Sequence, residues 1–153
     1  MRIVILNGPN LNLLGRREPA IYGTRSMEEV LLDIQRAYPN LYIAYHQSNH
    51  EGDLIDWVQE YGVLAIGDWR LAMGDGQEVD GIVLNAGGYT HTSVSIRDAI
   101  AAITTPVLEV HISNIYAREE FRHISMLSEV CVGTIAGLGL QGYKLAIEFF
   151  AKK

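Results

Sequence analysis

One cysteine, Cys131, occurs among the 153 residues. That excludes an intrachain disulfide framework and a cysteine-built metal site, and inside the apolar stretch EVCVGTI the thiol reads as a buried small hydrophobe. Lysine is nearly as scarce. Lys144, Lys152 and Lys153 all fall at the last predicted helix, which weighs against a Schiff-base lysine in a crevice at the strands' carboxyl ends. There is no basic run, and with a net charge of -6 the electrostatic footprint of a nucleic-acid binder is missing. Any anionic ligand must be held by a few local cations. No apolar run is long enough for a bilayer or a signal-peptide core, and the amino terminus MRIVILNGPN holds only four apolar residues between Arg2 and Asn7. The expected compartment is the cytoplasm. Neither G-x-x-x-x-G-K-[ST] nor G-x-S-x-G is present, which removes the phosphate loop and the nucleophile elbow.

What remains is a chain with 48% hydrophobic and 20% charged residues, enough for one domain over 1–153 with a real core. Five apolar runs rich in Val, Ile and Leu recur: RIVILN, LYIAYHQS, GIVLNA, PVLEVHIS and EVCVGTIAG. The first, third and fifth lack strict polar alternation, as strands buried on both faces of a parallel sheet do. Helical patterns lie between them. SMEEVLLDIQRAY has Ser26 and Glu29 at capping-box spacing and Val30, Leu31, Ile34 and Ala37 on one stripe. GDLIDWVQEYG, TSVSIRDAIAAI and GYKLAIEFFAK follow the second, third and fifth runs, and AREEF predicts a short helix after the fourth. Five strand-helix alternations predict a flavodoxin-like, doubly wound α/β domain: a five-stranded parallel sheet of order 2-1-3-4-5 in three α/β/α layers.

That topology places a ligand crevice at the carboxyl ends of strands one, three and four, whose trailing loops should meet. The first, NGPNLNLLGRREPAIYG, is longer than most strand-to-helix connections and holds Arg16, Arg17 and Tyr22. A solvated loop with an aromatic anchor is one reading of them; a base is another. Free tyrosine, with a pKa of about 10, is ionised in about one molecule per thousand at neutral pH, and half-ionisation requires about 4 kcal/mol. A cation about 4 Å away at an effective dielectric of about 20 supplies that order of energy. The third loop offers Asn85, Gly87, Gly88 and His91, with Thr92 or Ser93 as the cap of the next helix and free amides at its start for an anion. In EVHISN, His111 and Ser113 share one face with Glu109 two residues earlier, so His111 reads as a general acid or as a satisfied structural histidine. Arg118 and Arg122, four apart, offer two cations on one helix face or simply a solvated face.

Two patterns point elsewhere. GLGLQG at Gly137, Gly139 and Gly142 fits G-x-G-x-x-G, but no strand and no ribose-binding acid follow, so close strand-to-helix packing is the better reading. His46 and His50 are four apart without a third ligand in view, which weighs against a metal.

Taken in order, ILNGPNLNLLGRREPAIYG, QSNHEG, DGIVLNAGGYTHTS, RDAI, EVHISN and REEFRHIS closely resemble the type II 3-dehydroquinate dehydratases over nearly the whole chain. The resemblance implies a flavodoxin-like subunit assembled as a dodecamer of trimers. It implies anti elimination of water from 3-dehydroquinate to 3-dehydroshikimate, without cofactor or metal, in aromatic biosynthesis or quinate breakdown. Tyr22 is then the base at C2, and Arg17 the cation that lowers its pKa. Asn10 would orient a water at the enolate oxygen, and His111 would protonate the departing C1 hydroxyl. Asn85, Ile112 and Ser113 match the substrate-carboxylate site, while His91 and Arg122 match contacts to ring hydroxyls. Asp98 resembles a residue that reaches a neighbouring subunit's site, and Arg118 and Glu119 resemble lid or structural partners. Residues 62–78 form a segment about ten residues longer than the family pattern, expected at the strands' amino ends, away from the chemistry. Ile124 and Met126 also depart from the family's usual polar or aromatic residues, which bears on local packing. The competing class is a non-catalytic flavodoxin-like module that binds a small anion.

Overall fold

In the computed structural model, which describes residues 1–15, 25–63 and 79–152, five strands form one parallel sheet. They are β1 (Arg2–Asn7), β2 (Tyr42–Gln47), β3 (Gly81–Asn85), β4 (Val107–His111) and β5 (Gly133–Ala136), in the order β2-β1-β3-β4-β5. Four α-helices are described: α1 (Met27–Ala37), α2 (Glu51–Tyr61), α3 (Val94–Ala101) and α4 (Gln141–Ala151). Strand periodicity divides the core. Ile3 and Ile5 of β1 pack under Val30 and Ile34 of α1 and Tyr143, Ile147 and Phe150 of α4. Val4 and Leu6 face the other way, onto Leu54 and Val58 of α2 and Ile96 and Ile100 of α3. Each fully buried aliphatic side chain contributes about 1.5–3 kcal/mol, so both helix layers are held chiefly by this burial. The flavodoxin-like three-layer arrangement and the strand order are those expected.

Local rules account for the helix starts. Ser26 Oγ accepts from the Glu29 N–H at 3.3 Å and Glu29 Oε2 accepts from the Ser26 N–H at 2.8 Å, the capping box. Ser93, not Thr92, caps α3, accepting from the Ile96 N–H at 2.9 Å. Ala37 is exposed, and the buried stripe of α1 is Met27, Val30 and Ile34.

Three expectations need correction. No α-helix follows β4: AREEF belongs to two separate 3-10 turns, Ile115–Ala117 and Glu120–Arg122, with Arg118 and Glu119 between them. Asn114 starts the first turn by accepting from the Tyr116 N–H at 3.1 Å, and the chain is extended again at Arg118. The fifth strand is shorter than EVCVGTIAG, because residues 128–130 form another 3-10 turn. It is also not buried on both faces: Thr134 is exposed and its other residues are only half-buried, and it lies at the sheet edge with only one strand neighbour. β1 and β3 do have the interior positions read from their unbroken apolar runs. Of the long segment 62–78, residues 64–78 lie outside the described residues. Its flanks are at the sheet's amino-terminal edge: the Thr104 N–H donates to the Val63 carbonyl at 2.7 Å, and the Val79 N–H donates to the Tyr61 carbonyl at 3.2 Å.

Candidate active site

Strand order reverses between β1 and β3, and there the chain leaves a cavity of about 170 Å³ at the strands' carboxyl ends. Its walls come from the three loops expected to meet: Pro9 to Leu14 after β1, Asn85 to His91 after β3, and His111 to Arg122 after β4. Asn10, Asn85, His91, His111, Ile112, Ser113 and Arg122 all line it. Arg17 and Tyr22 lie outside the described residues. Asp98 is exposed on α3, 3.2 Å from Arg97 Nη1, and is not part of this cavity.

The loops are fixed from below. Gly8 lies so close to β3 that an added Cβ would sit 2.5 Å from the Ala86 carbonyl oxygen, which requires glycine. Asn10 adopts a left-handed backbone with φ 68°, and its N–H donates to Asn49 Oδ1 at 2.9 Å. Asn49 also accepts at its carbonyl from the Tyr89 hydroxyl at 2.9 Å, so one residue ties the first loop to the turn that carries His91. That turn is 3-10, Gly87–His91, and it separates β3 from α3. The backbone at the cavity therefore belongs to Gly87 and Gly88, whereas the start of α3 does not line it.

The two histidines have defined ring orientations. His111 is 5% exposed, and its Nε2 lies 2.9 Å from Oε1 of Glu109, which is wholly buried. A carboxylate only accepts, so Nε2 carries the proton and Nδ1 is the nitrogen left for the cavity. Glu109 also accepts from Ser125 Oγ at 2.8 Å and from Thr134 Oγ1 at 3.1 Å. Burial pushes its carboxyl up, but the hydrogen bonds from His111, Ser125 and Thr134 outweigh that and hold it below the usual carboxylate range. An ionised carboxylate therefore stands behind His111. The His91 Nδ1 lies 2.7 Å from the Ile124 carbonyl, so Nδ1–H is the donor there and Nε2 is free to accept. The two rings are stacked with centroids 6.4 Å apart. Arg118 and Arg122 both converge on Glu119, at 3.4 and 2.8 Å, and both line the cavity. Their shared carboxylate, rather than a helix face, brings them together.

The glycine-rich turn between β5 and α4 supports the same site. Gly137, at φ 83°, donates to the carbonyls of His111 and Ser113, and Gly139 donates to that of Ile112 at 3.0 Å. Close packing was the expected role, and here it anchors the strand end that carries three of the lining residues. His46 is satisfied structurally, with Nε2 2.6 Å from the Tyr61 hydroxyl and its ring stacked on Trp57. Sequence reasoning missed Asn7, Asn49, Ser125, Thr134 and Tyr143, which support the lining residues from behind. The buried polar end of β1 at Asn7 was the one local signal, since an unbroken apolar strand does not end on a buried amide without a partner.

Comparisons with known proteins show the family. The Dehydroquinase class II family matches residues 1–151. A 3-dehydroquinate dehydratase of Exiguobacterium sp. is 52% identical over 96% of this chain and 92% of its own length. One from Campylobacter jejuni is 48% identical over 96% of this chain and 85% of its own. Crystal structures of type II dehydroquinase from Butyrivibrio crossotus and Propionibacterium acnes align with TM-scores of 0.84 and 0.82, at 45% and 38% identity, each covering 99% of this chain and 97% of the other. With a family match over nearly its whole length and relatives near half identity, this chain belongs to the class II dehydroquinase family.

Proposed function

We infer that this chain is a 3-dehydroquinate dehydratase, a hydro-lyase acting as one catalytic domain. The observation that carries the reading is the cavity in which His111, backed by the ionised Glu109, faces Asn85, Ser113 and Arg122 at the strand-order reversal. The reaction needs one proton removed and another delivered, with an anionic substrate held between. Asn85 and the Ile112–Ser113 backbone and hydroxyl hold the substrate carboxylate, and His91 and Arg122 meet ring hydroxyls. His91 is suited to accept through Nε2 because Nδ1 is committed to Ile124.

Tyr22 removes the C2 proton, alpha to the ketone, and Arg17 favours the tyrosinate that does so. The electron pair passes to the ketone oxygen as an enolate, where Asn10 orients a water. Collapse of the enolate forms the C1–C2 double bond and breaks the C1–O bond. The departing hydroxyl takes the Nδ1 proton of a doubly protonated His111, which is left neutral with its Nε2–H still donated to Glu109. The lost C2 proton and the protonated hydroxyl balance as a proton on Tyr22 and one water. Each step is a proton transfer that these side chains can carry. The segment with Arg17 and Tyr22 leaves from Leu14 and Gly15, and Leu14 is part of the cavity wall.

The family pattern supports a dodecamer of trimers in which Asp98 reaches a neighbouring site. Asp98 is exposed, as are Tyr116, Phe121 and Ile124 beside the cavity, the last at 72%. A cytoplasmic location fits an assembly in which no helix among the described residues is long and apolar enough to cross a membrane. The test is ultraviolet absorbance of chelator-treated protein mixed with 3-dehydroquinate, because the product's conjugated carbonyl absorbs where the substrate hardly does. Prompt growth of the band is expected; a flat trace from folded protein would leave an anion-binding module.

A further inference from the structure

Three buried polar side chains meet at the carboxyl ends of β1 and β3, and one of them, Asn85, lines the cavity. Asn7 ends β1, Asn85 ends β3, and the two are register partners in the sheet. Tyr143 reaches them from the first turn of α4, across 136 and 58 positions of sequence. Asn7 and Tyr143 are completely buried and Asn85 is 3% exposed.

The direction of every hydrogen bond follows from one fixed donor. The Gly87 N–H lies 3.2 Å from Asn85 Oδ1 and can only donate, so the amide oxygen faces Gly87 and Nδ2 faces Tyr143 at 2.9 Å. The Tyr143 oxygen accepts that proton, and its own proton is donated to Asn7 Oδ1 at 2.8 Å. Nδ2 has two protons. One is committed to Tyr143, and the other is the donor that Asn85, a lining residue, has left for the cavity. Burial also raises the Tyr143 pKa well above the usual tyrosine range, so the hydroxyl stays a donor throughout the working pH range. A phenylalanine would satisfy the surrounding apolar cluster of Ile3, Ile5, Val83 and Ile147 without bringing a hydroxyl that must find partners.

We propose that Tyr143 is a positioning residue for substrate binding, holding the Asn85 amide in the one orientation that presents an N–H to the substrate carboxylate. This rests on the reading of Asn85 as a carboxylate ligand. Without the hydroxyl, the amide loses the contact opposite Gly87 and can turn about its terminal torsion, which is broad in asparagine.

The experiment compares Tyr143→Phe, Asn85→Ala and the double variant, with kcat and KM for 3-dehydroquinate and a thermal melt for each. Tyr143→Phe should raise KM roughly ten-fold, the scale of a hydrogen bond to a charged group, while changing kcat less than about three-fold. Added to Asn85→Ala, it should raise KM no further. A folded Tyr143→Phe with unchanged KM, or an equal increase in both backgrounds, overturns the proposal. An unchanged KM in Asn85→Ala refutes instead the carboxylate role of Asn85. Should Tyr143→Phe fail to fold, Asn7→Leu/Tyr143→Phe removes the orphaned acceptor as well and carries the same expected KM increase.

Discussion

Glu109→Gln tests the acid side of the mechanism without changing its shape. In the parent, Glu109 accepts from His111 and Ser125 at Oε1 and from Thr134 at Oε2, at 2.9, 2.8 and 3.1 Å. An amide oxygen in the Oε1 position keeps the first two bonds, and the Thr134 hydroxyl can rotate to accept from the amide nitrogen. What disappears is the charge. Two unit charges about 4 Å apart at an effective dielectric of about 20 attract by about 4 kcal/mol, a ceiling of about a thousand-fold in rate. Exchanging a charge-assisted hydrogen bond for a neutral one sets a floor of about ten-fold. The amide dipole retains part of the attraction, so kcat should fall about a hundred-fold, between those bounds. KM should change little, because Glu109 is behind His111 and does not line the cavity. Stability gives a second reading. The carboxyl is held below its ordinary range in the folded chain, so its contribution is complete above the unfolded value of about 4.3 and is lost as pH falls through the folded value. The stability gap between parent and variant should therefore be widest near neutrality and narrow as pH falls below the unfolded value of about 4.3, as followed by denaturant unfolding. Turnover is followed by product absorbance. A kcat within about three-fold of the parent would show that the carboxylate does not sustain the acid, and the role given to His111 would fall with it.

Other outcomes follow from the same structure. Tyr22→Phe should reduce kcat at least a hundred-fold while leaving the melt and the assembly mass unchanged, and near-normal turnover would remove Tyr22 from the base role. Cys131 is only half-buried rather than the buried hydrophobe expected, but the partial burial of its thiol, with the charge of Glu109 nearby, pushes the thiol up to about 12. At pH 8 the native chain should therefore hold on the order of a thousand-fold less thiolate than a free cysteine and react with Ellman's reagent correspondingly slowly until unfolded; rapid native labelling would contradict the burial. Replacing residues 64–78 with a short Gly-Ser turn should leave kcat and KM within about two-fold, since the flanks are at the sheet edge opposite the cavity. Loss of turnover with the assembly intact would place that segment at the site.

Features coded by neighbours along the chain were legible in the sequence. The unbroken runs RIVILN and GIVLN identified interior strands, and Ser26 with Glu29 identified a helix start. Alternation put His111 on the face of Glu109, and the doubly wound pattern brought three loops to one cavity. Where two local signals competed, the reading failed. The i, i+4 spacing of Arg118 and Arg122 suggested a helix, but the Asn114 cap and the extended backbone at Arg118 break the segment into turns. Long-range pairings left little trace. Tyr143 has the pattern of an ordinary core aromatic on α4, and nothing near it indicates partners at Asn7 and Asn85. Ser125 and Thr134 look like surface hydroxyls, yet both donate to Glu109.

The same division explains how the site is built. On the proposed mechanism, delivering a proton to a leaving hydroxyl requires a group held still while charge develops, and His111 is at the end of a buried strand with its ring orientation fixed by Glu109. The proposed carboxylate ligands need equal rigidity, and Asn85, Ile112 and Ser113 are tied to Tyr143, Gly137 and Gly139 on the opposite side of the sheet end. Removing the C2 proton requires something else: the base must meet a substrate that first has to enter. Assigning the base to Tyr22, in the segment that follows the cavity wall at Leu14, separates proton removal from the groups that hold the substrate. Substitutions behind the sheet end should accordingly act through the binding or the acid step. Substitutions in the first loop should act through proton removal, as a primary deuterium isotope effect with C2-labelled substrate would separate: larger in Arg17→Ala than in the parent, and no larger in Glu109→Gln.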